Sequence, residues 1–63
     1  MIKKITKLER LRRRARLTQH QLAARSGLHQ GSISNMEAGL RAPKVTSLKK
    51  LSAALGCQIT DLI

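Results

Sequence analysis

The fold of this sequence is decided by one stretch, RSGLHQGSISNMEAGLRAP, which covers residues 25–43. Gly27 and Gly39 stand near its two ends, and short polar residues fill most of the space between them. Such a composition is typical of a loop. It is also typical of a short helix whose outer face carries neither bulk nor charge, and the spacing of its apolar residues distinguishes the two.

The apolar residues of this stretch have helical spacing. At about 100° per residue, Ile33, Met36 and Glu37 fall on one side of a helix. The opposite side carries only small, amide or hydroxyl residues, namely Gln30, Gly31, Ser34, Asn35 and Ala38. The pattern therefore predicts an amphipathic helix over residues 30–38, which Gly39 ends.

A second helix is predicted immediately before it, over residues 19–26. Thr18 and Gln21 have the spacing of a capping box, in which each side chain bonds to the other residue's backbone amide. Leu22 points inward in this helix, and Gly27 is placed to end it. Two short helices therefore meet at Gly27.

The capping-box spacing also occurs earlier, at Thr6 and Glu9. It predicts a first helix over residues 7–15, with Leu8 and Leu11 on its inner face. The other face of this helix carries Arg10, Arg13 and Arg14. They form either a solvated surface or part of a positive field that attracts phosphates.

A fourth helix is predicted over residues 47–55. Thr46 would be its N-cap, Val45 the apolar residue in front of the cap, and Gly56 the stop. A short helical turn is expected over residues 59–63. Because no strand-like alternation is found, we expect an all-α fold with four to five short helices in a single domain, residues 1–63.

The charge of the chain indicates its partner. Thirteen Lys and Arg residues stand against three acidic residues, which gives a formal net charge of +10. Such an imbalance points to a polyanion, either nucleic acid or an anionic membrane. The sequence contains no Phe, Tyr or Trp, which argues against proteins that stack single-stranded bases on aromatic rings.

The sequence lacks the residues that several other classes of protein require. Cys57 is the single cysteine, and no cluster of Cys and His has metal-ligand spacing, so we expect neither a metal nor a cofactor. His20 and His29 have no acid or nucleophile nearby in the sequence, so we expect no enzyme activity. Residues 1–4 begin like a signal peptide, but no apolar segment follows. We therefore expect a cytoplasmic protein, bacterial or phage-encoded and associated with the nucleoid, with no membrane partner.

The predicted second and third helices form a helix-turn-helix over about residues 18–38. The major groove of DNA admits one helix, and amide side chains can donate to and accept from the same base edge there. Gly31 and Ser34 are small enough for such a helix to lie deep in the groove.

At these residues the sequence resembles the phage repressor and Cro (Xre-type) helix-turn-helix DNA-binding domains. The matching segments are Leu17-Thr18-Gln19, Leu22-Ala23, Gly27, Ser32-Ile33-Ser34, Glu37, Gly39, Pro43, Leu48, Leu51 and Ala54-Leu55-Gly56. The resemblance covers nearly the whole chain from Leu8 onward. It implies a sequence-specific regulator of transcription, most simply a small repressor.

The resemblance also implies a role for individual residues. The residues that it implies for base reading are His29, Gln30, Gly31, Ser34 and Asn35. Gln30 and Asn35 are expected to be the main readers. Contacts with the DNA backbone fall to Thr18, Gln19, Ser32, Arg41, Lys44 and Arg12. Arg12 and Glu37 match a pair that forms an ion pair in relatives, and Gln19 is expected to brace the reading helix.

Two positions depart from the family pattern. His29 stands where relatives usually carry a Ser or Thr N-cap, and Arg16 stands where they often carry Gly or a small polar residue. Gly31 also leaves one reading position without a side chain.

Two classes of function remain open at this point. The first is a repressor that binds double-stranded DNA. It would bind a palindromic operator as a homodimer, and the two half-sites of the operator would lie about 34 Å apart. Ile59, Leu62 and Ile63 would supply apolar surface for that dimer. The alternative is an antitoxin or co-regulator whose main role is binding a partner protein, although an antitoxin normally adds a segment that wraps its toxin.

Overall fold

The computed structural model describes residues 5–63, and residues 1–4, on which the signal-peptide argument depends, lie outside them. The four helices are α1 (Lys7–Arg14), α2 (Gln19–Ser26), α3 (Gln30–Glu37) and α4 (Val45–Leu55), followed by a 3-10 turn at Ile59–Asp61. The described part of the chain contains no strand. The predicted all-α fold is confirmed.

The core is built from one fully buried side chain on each of three helices: Leu22 on α2, Ile33 on α3 and Leu51 on α4. Burying a side chain of this size contributes about 1.5–3 kcal/mol. Helix α2 packs against both α3 and α4, whereas α1 packs against α3. Five further apolar residues complete the core: Leu8, Leu17, Met36, Leu48 and Leu62.

Local hydrogen bonds and a glycine fix the start of α2 and the turn that leads from α2 to α3. Thr18 Oγ1 accepts from the Gln21 amide at 3.1 Å, and Gln21 Oε1 accepts from the Thr18 amide at 2.9 Å, so the predicted capping box is present. Gly27 ends α2 with a positive φ of 74°. The hydroxyl of Ser26, which is buried, donates to the Ala23 carbonyl and accepts from the Leu28 amide.

Helix α1 departs from its prediction in two respects. Thr6 Oγ1 accepts from the Glu9 amide at 3.3 Å, as expected of an N-cap. The Glu9 carboxylate does not return to the cap, because it forms an ion pair with Arg13 one turn later. The helix ends at Arg14, and Ala15, expected to be its last residue, is its C-cap.

The prediction for the start of α4 is wrong. The helix begins at Val45, and Lys44 is its N-cap. Thr46 is therefore inside the helix, and Val45 is 63% exposed instead of packing in front of a cap. The Leu48 amide bonds to the Lys44 carbonyl at 2.8 Å, so the first turn of α4 is closed two residues earlier than Thr46 would allow.

The expected surplus of apolar surface at the C-terminal turn is also corrected. Leu62 is only 9% exposed and belongs to the core, and Ile59 packs against the core. Ile63 is 65% exposed and is the single member of the three available to a partner. Cys57 is a half-buried free thiol that packs against the core.

Within residues 5–63, no helix combines the length and the apolar character that crossing a membrane would require.

Candidate nucleic-acid interface

Helix α3 has one buried side and one open side. Ile33, Met36 and Glu37 are buried. Helix α3 ends at Glu37, one residue before the predicted end, and Ala38 is the C-cap. The open side, which we call the outer face of α3, consists of Gln30, Gly31, Ser34, Asn35 and Ala38. All of these are exposed except Gln30, which is half-buried.

The polar groups of the outer face are not used inside the protein. Within residues 5–63, no side-chain hydrogen bond engages Gln30, Ser34 or Asn35. Amide and hydroxyl groups that do not bond within the fold keep both their donors and their acceptors for an external partner. This combination fits the donor and acceptor pattern of base edges in a major groove.

The start of α3 is also left without a side-chain cap. His29 is the N-cap, with extended backbone at φ −77° and ψ 144°, and its side chain makes no capping hydrogen bond. The helix is closed by its backbone alone, as the Ile33 amide donates to the His29 carbonyl at 3.2 Å. The exposed imidazole of His29 therefore stands beside first-turn amides that have no side-chain acceptor.

The fold itself does not require a glycine at position 31. Within residues 5–63, a Cβ atom placed on Gly31 would meet no heavy atom within 4 Å apart from its chain neighbours and the nearby backbone of its own helix, and its φ is not positive. Glycine in a helix is less favourable than alanine by about 0.5–1 kcal/mol. Glycine at this position therefore leaves the backbone of α3 open to solvent.

The other end of α3 is held by an ion pair. Arg12 Nε donates to Glu37 Oε2 at 2.6 Å, and Arg12 Nη2 donates to Glu37 Oε1 at 3.0 Å. Gln19 Nε2 donates to the same Oε1 at 3.1 Å, and Arg12 Nη1 donates to the Leu17 carbonyl at 2.7 Å. This Arg12–Glu37–Gln19 network joins α1, α2 and α3.

Burial makes the network costly to disturb. The Glu37 side chain is 3% exposed and the Arg12 side chain 12% exposed. The hydrogen bond and charge of Glu37 raise the pKa of Arg12, against the lowering effect of its burial. Removing one partner of such a pair leaves the other charged and buried. The network therefore fixes the orientation of α3, and it leaves Arg12 little surface for a phosphate.

The other residues expected to contact the DNA backbone lie beside α3. Thr18 is exposed at the start of α2, beside Gln19, whose bond to Glu37 places it at the C-terminal end of α3. Ser32, Arg41 and Lys44 line one small groove between α3 and the loop that follows it. Hydroxyl and cationic groups thus lie on either side of the outer face. In a complex with DNA, phosphates flank the groove that a reading helix enters.

Two contributions were not found by sequence reasoning. Ser26 fixes the turn before α3 from a buried position, and the Leu17 carbonyl provides a further acceptor for Arg12. A serine near a glycine is a common surface residue, so its type gives no signal of burial. A carbonyl oxygen is present at every residue, so its use as an acceptor is visible only in the fold.

Comparison with known proteins gives matches over most of the chain. Residues 8–62 match the protein family described as Helix-turn-helix. An uncharacterized HTH-type transcriptional regulator, y4dJ of Sinorhizobium fredii (strain NBRC 101917 / NGR234), is 44% identical over 54 residues, which are 86% of this chain and 70% of that protein. The crystal structure of the restriction-modification controller protein C.AhdI from Aeromonas hydrophila is similar with a TM-score of 0.86 and 32% identity, covering 90% of this chain and 86% of that one.

Proposed function

This chain belongs to the Xre-type helix-turn-helix family of DNA-binding transcriptional regulators, and from that membership we propose that it represses transcription by placing α3 in the major groove of an operator. The observation that carries the proposal is the outer face of α3. Its amide and hydroxyl side chains make no hydrogen bond within residues 5–63, and the helix behind them is held by the Arg12–Glu37–Gln19 network.

The proposed roles follow the position of each group on or beside that face. Gln30 and Asn35 read base edges, since an amide can bond to one adenine edge in both directions. His29 and Ser34 touch a base edge or a phosphate, and Gly31 lets the backbone of α3 come close to the bases. The groups that contact the DNA backbone are Thr18, Gln19, Ser32, Arg41 and Lys44, together with the exposed edge of Arg12.

We further propose that two copies bind one palindromic operator. One reading helix covers only a few base pairs, and two half-sites about one helical turn apart would multiply its specificity. Ile63 offers exposed apolar surface at the C-terminal turn, and the DNA would hold the two copies side by side. Sedimentation with a palindromic duplex should give a complex of two chains per duplex. A strictly 1:1 complex would contradict the dimer.

Selection of bound duplexes from a randomised pool tests the function as a whole. The affinity of the selected sequence and of a scrambled duplex is then measured at two salt concentrations. We expect a consensus with dyad symmetry that is bound far more tightly than scrambled DNA at both concentrations, as in a repressor of the bacterial or phage cytoplasm. Non-specific binding should fall steeply with salt, because each neutralised phosphate releases counterions.

A different result would favour the second candidate function. If no consensus is found and the affinity for DNA disappears as salt rises, the net charge of +10 alone would explain the binding. The outer face of α3 would then be an interface for a partner protein, as in an antitoxin or a co-regulator.

A further inference from the structure

A second basic surface lies on α1, on the side away from α3. Lys7, Arg10 and Arg14 are exposed and follow one another at helical spacing. Around the axis of α1 they lie about 140–160° from Arg12. Because Arg12 bonds to Glu37 of α3, this basic stripe points away from the outer face of α3 and from the duplex that would occupy it.

The basic stripe borders a groove of about 570 Å³ between α1 and the end of α4. We call it the α1–α4 groove. Part of its floor is apolar, since it contains Leu11, Leu55 and Cys57, three half-buried residues that pack against the core. Asp61 is the one acidic residue among those that line it. The Lys7 ammonium, on the rim of the groove, also bonds to the carbonyl oxygen of Ile63.

The chemistry of the groove favours one kind of occupant. A phosphate backbone would use the cations but would gain nothing from an apolar floor. A second copy of this chain carries a net charge of +10, which duplex DNA would offset in the proposed dimer but which would meet three cations in this groove on the side away from the duplex. A segment with apolar side chains on one side and carboxylates beside them would satisfy both the floor and the rim. We propose that the α1–α4 groove docks an acidic amphipathic helix of a partner protein.

A designed peptide serves as the probe. It has about 15 residues, long enough for a marginal helix in water, with Leu at helical spacing on one face and Glu on both flanks. Two matched peptides replace either every Glu with Lys or every Leu with Ser. Fluorescence anisotropy of each labelled peptide is measured against the full chain, both alone and bound to its selected duplex. The measurement on the free chain separates this proposal from the proposed DNA-binding function.

Binding of the acidic peptide to both forms of the chain is expected, whereas the Lys and Ser peptides should bind at least about tenfold more weakly. The double variant Arg10→Gln/Arg14→Gln should lose about fivefold to tenfold in affinity for the acidic peptide. The matched control Lys49→Gln/Lys50→Gln removes the same charge from exposed positions of α4 and should lose far less. Both double variants should reduce affinity for duplex DNA to the same small extent.

The backbone amide signals in the NMR spectrum of the protein locate the site of peptide binding. Peptide binding should shift the NMR signals of Leu11, Gly56 and Cys57, and should leave those of Gly31 and Asn35 in place. The proposal is overturned if the peptide does not bind, if the shifts fall on α3, or if the two double variants lose peptide affinity equally. It is also overturned if the Arg10 and Arg14 variant loses much more duplex affinity than its control, because the basic stripe would then be a DNA contact.

Discussion

Arg16 adopts a backbone conformation that suits glycine. Its φ is 60°, and it is the one non-glycine residue with a positive φ within residues 5–63. It follows the C-cap of α1, and its amide bonds to the Arg13 carbonyl at 2.9 Å while the Leu17 amide bonds to the Arg12 carbonyl at 3.2 Å. This is a Schellman motif, a position that glycine usually fills. The departure from the family pattern at Arg16 therefore carries a cost in backbone strain.

Replacing Arg16 with glycine should relieve that strain. We expect Arg16→Gly to raise the free energy of unfolding by about 1 kcal/mol, since a left-handed residue with a Cβ costs about 1–2 kcal/mol. Urea denaturation measures the change. Arg16→Ala is the control, because it removes the same charge and keeps the Cβ. Equal effects of the two variants would attribute the gain to charge instead of strain.

Glu37 is the residue whose neutralisation should cost most. Glu37→Gln would leave the Arg12 guanidinium buried without its carboxylate, and we expect a loss of about 3 kcal/mol. Glu9→Gln is a matched control, because Glu9 is also buried but its partner Arg13 is exposed. That variant should lose about 1 kcal/mol or less. Thermal denaturation of the two variants compares them, and losses of equal size would contradict the role given to the network.

Gln30 and Arg41 should differ in what they do to DNA binding. Gln30→Ala should cost about 1–3 kcal/mol at one base step and relax the preference there. Arg41→Ala should weaken all sequences alike and lower the slope of log affinity against log salt by about one unit. Binding to single-base operator variants at several salt concentrations separates the two effects. An unchanged base preference in Gln30→Ala would show that Gln30 is not a reader.

At the scale of elements, α3 carries a helix-destabilising glycine at a position proposed to face DNA. Gly31→Ala should stabilise α3 by about 0.5 kcal/mol, because alanine is the better helix former and its Cβ has open space. The same variant should weaken binding to the operator if the backbone of α3 comes close to the bases. Denaturation and duplex affinity measured on one preparation should therefore change in opposite directions. Unchanged affinity would mean that nothing approaches position 31.

The sequence predicted the helices well where caps and apolar spacing agree. For α2, the Thr18–Gln21 capping box, Leu22 and Gly27 all indicate the same bounds, and those bounds are found. For α4, the cap preference of Thr46 conflicts with packing. Lys44 is a poor side-chain cap, but an earlier start closes the turn at Leu48, a core residue, and tertiary packing outweighs the cap.

The candidate site was predictable to a lesser degree. The outer face of α3 follows directly from helical periodicity, because residues three and four apart share a face. The family resemblance suggested the pairing of Arg12 with Glu37, which lie 25 residues apart in the chain. The bond from Arg12 to the Leu17 carbonyl and the burial of Ser26 depend on how the helices pack. Neither residue type nor spacing encodes such contacts.

At the scale of the whole molecule, the two ends of the described chain meet. The Lys7 ammonium bonds to the Ile63 carbonyl oxygen, and Leu62 reaches the core beside them. The sequence suggested that Leu62 was exposed, because a final turn of a few residues is too short for periodicity to distinguish its inner side. Leu62 therefore adds to the core from the C-terminal turn.

The distribution of charge at this scale gives the protein two separate basic surfaces. One surrounds α3, with Arg41 and Lys44, and the other is the stripe on α1. A duplex and an acidic protein segment would therefore not compete for the same cations.

The division of α3 into a bonded inner side and an unbonded outer face has a consequence for how such proteins diversify. Ile33, Met36 and Glu37 are the buried residues of this helix, and Glu37 carries its bonds to the network. Gln30, Ser34 and Asn35 can therefore be exchanged together without the loss of a side-chain hydrogen bond to any residue of 5–63. If these three residues read bases as proposed, a few codon changes would give a new operator preference on an unaltered scaffold.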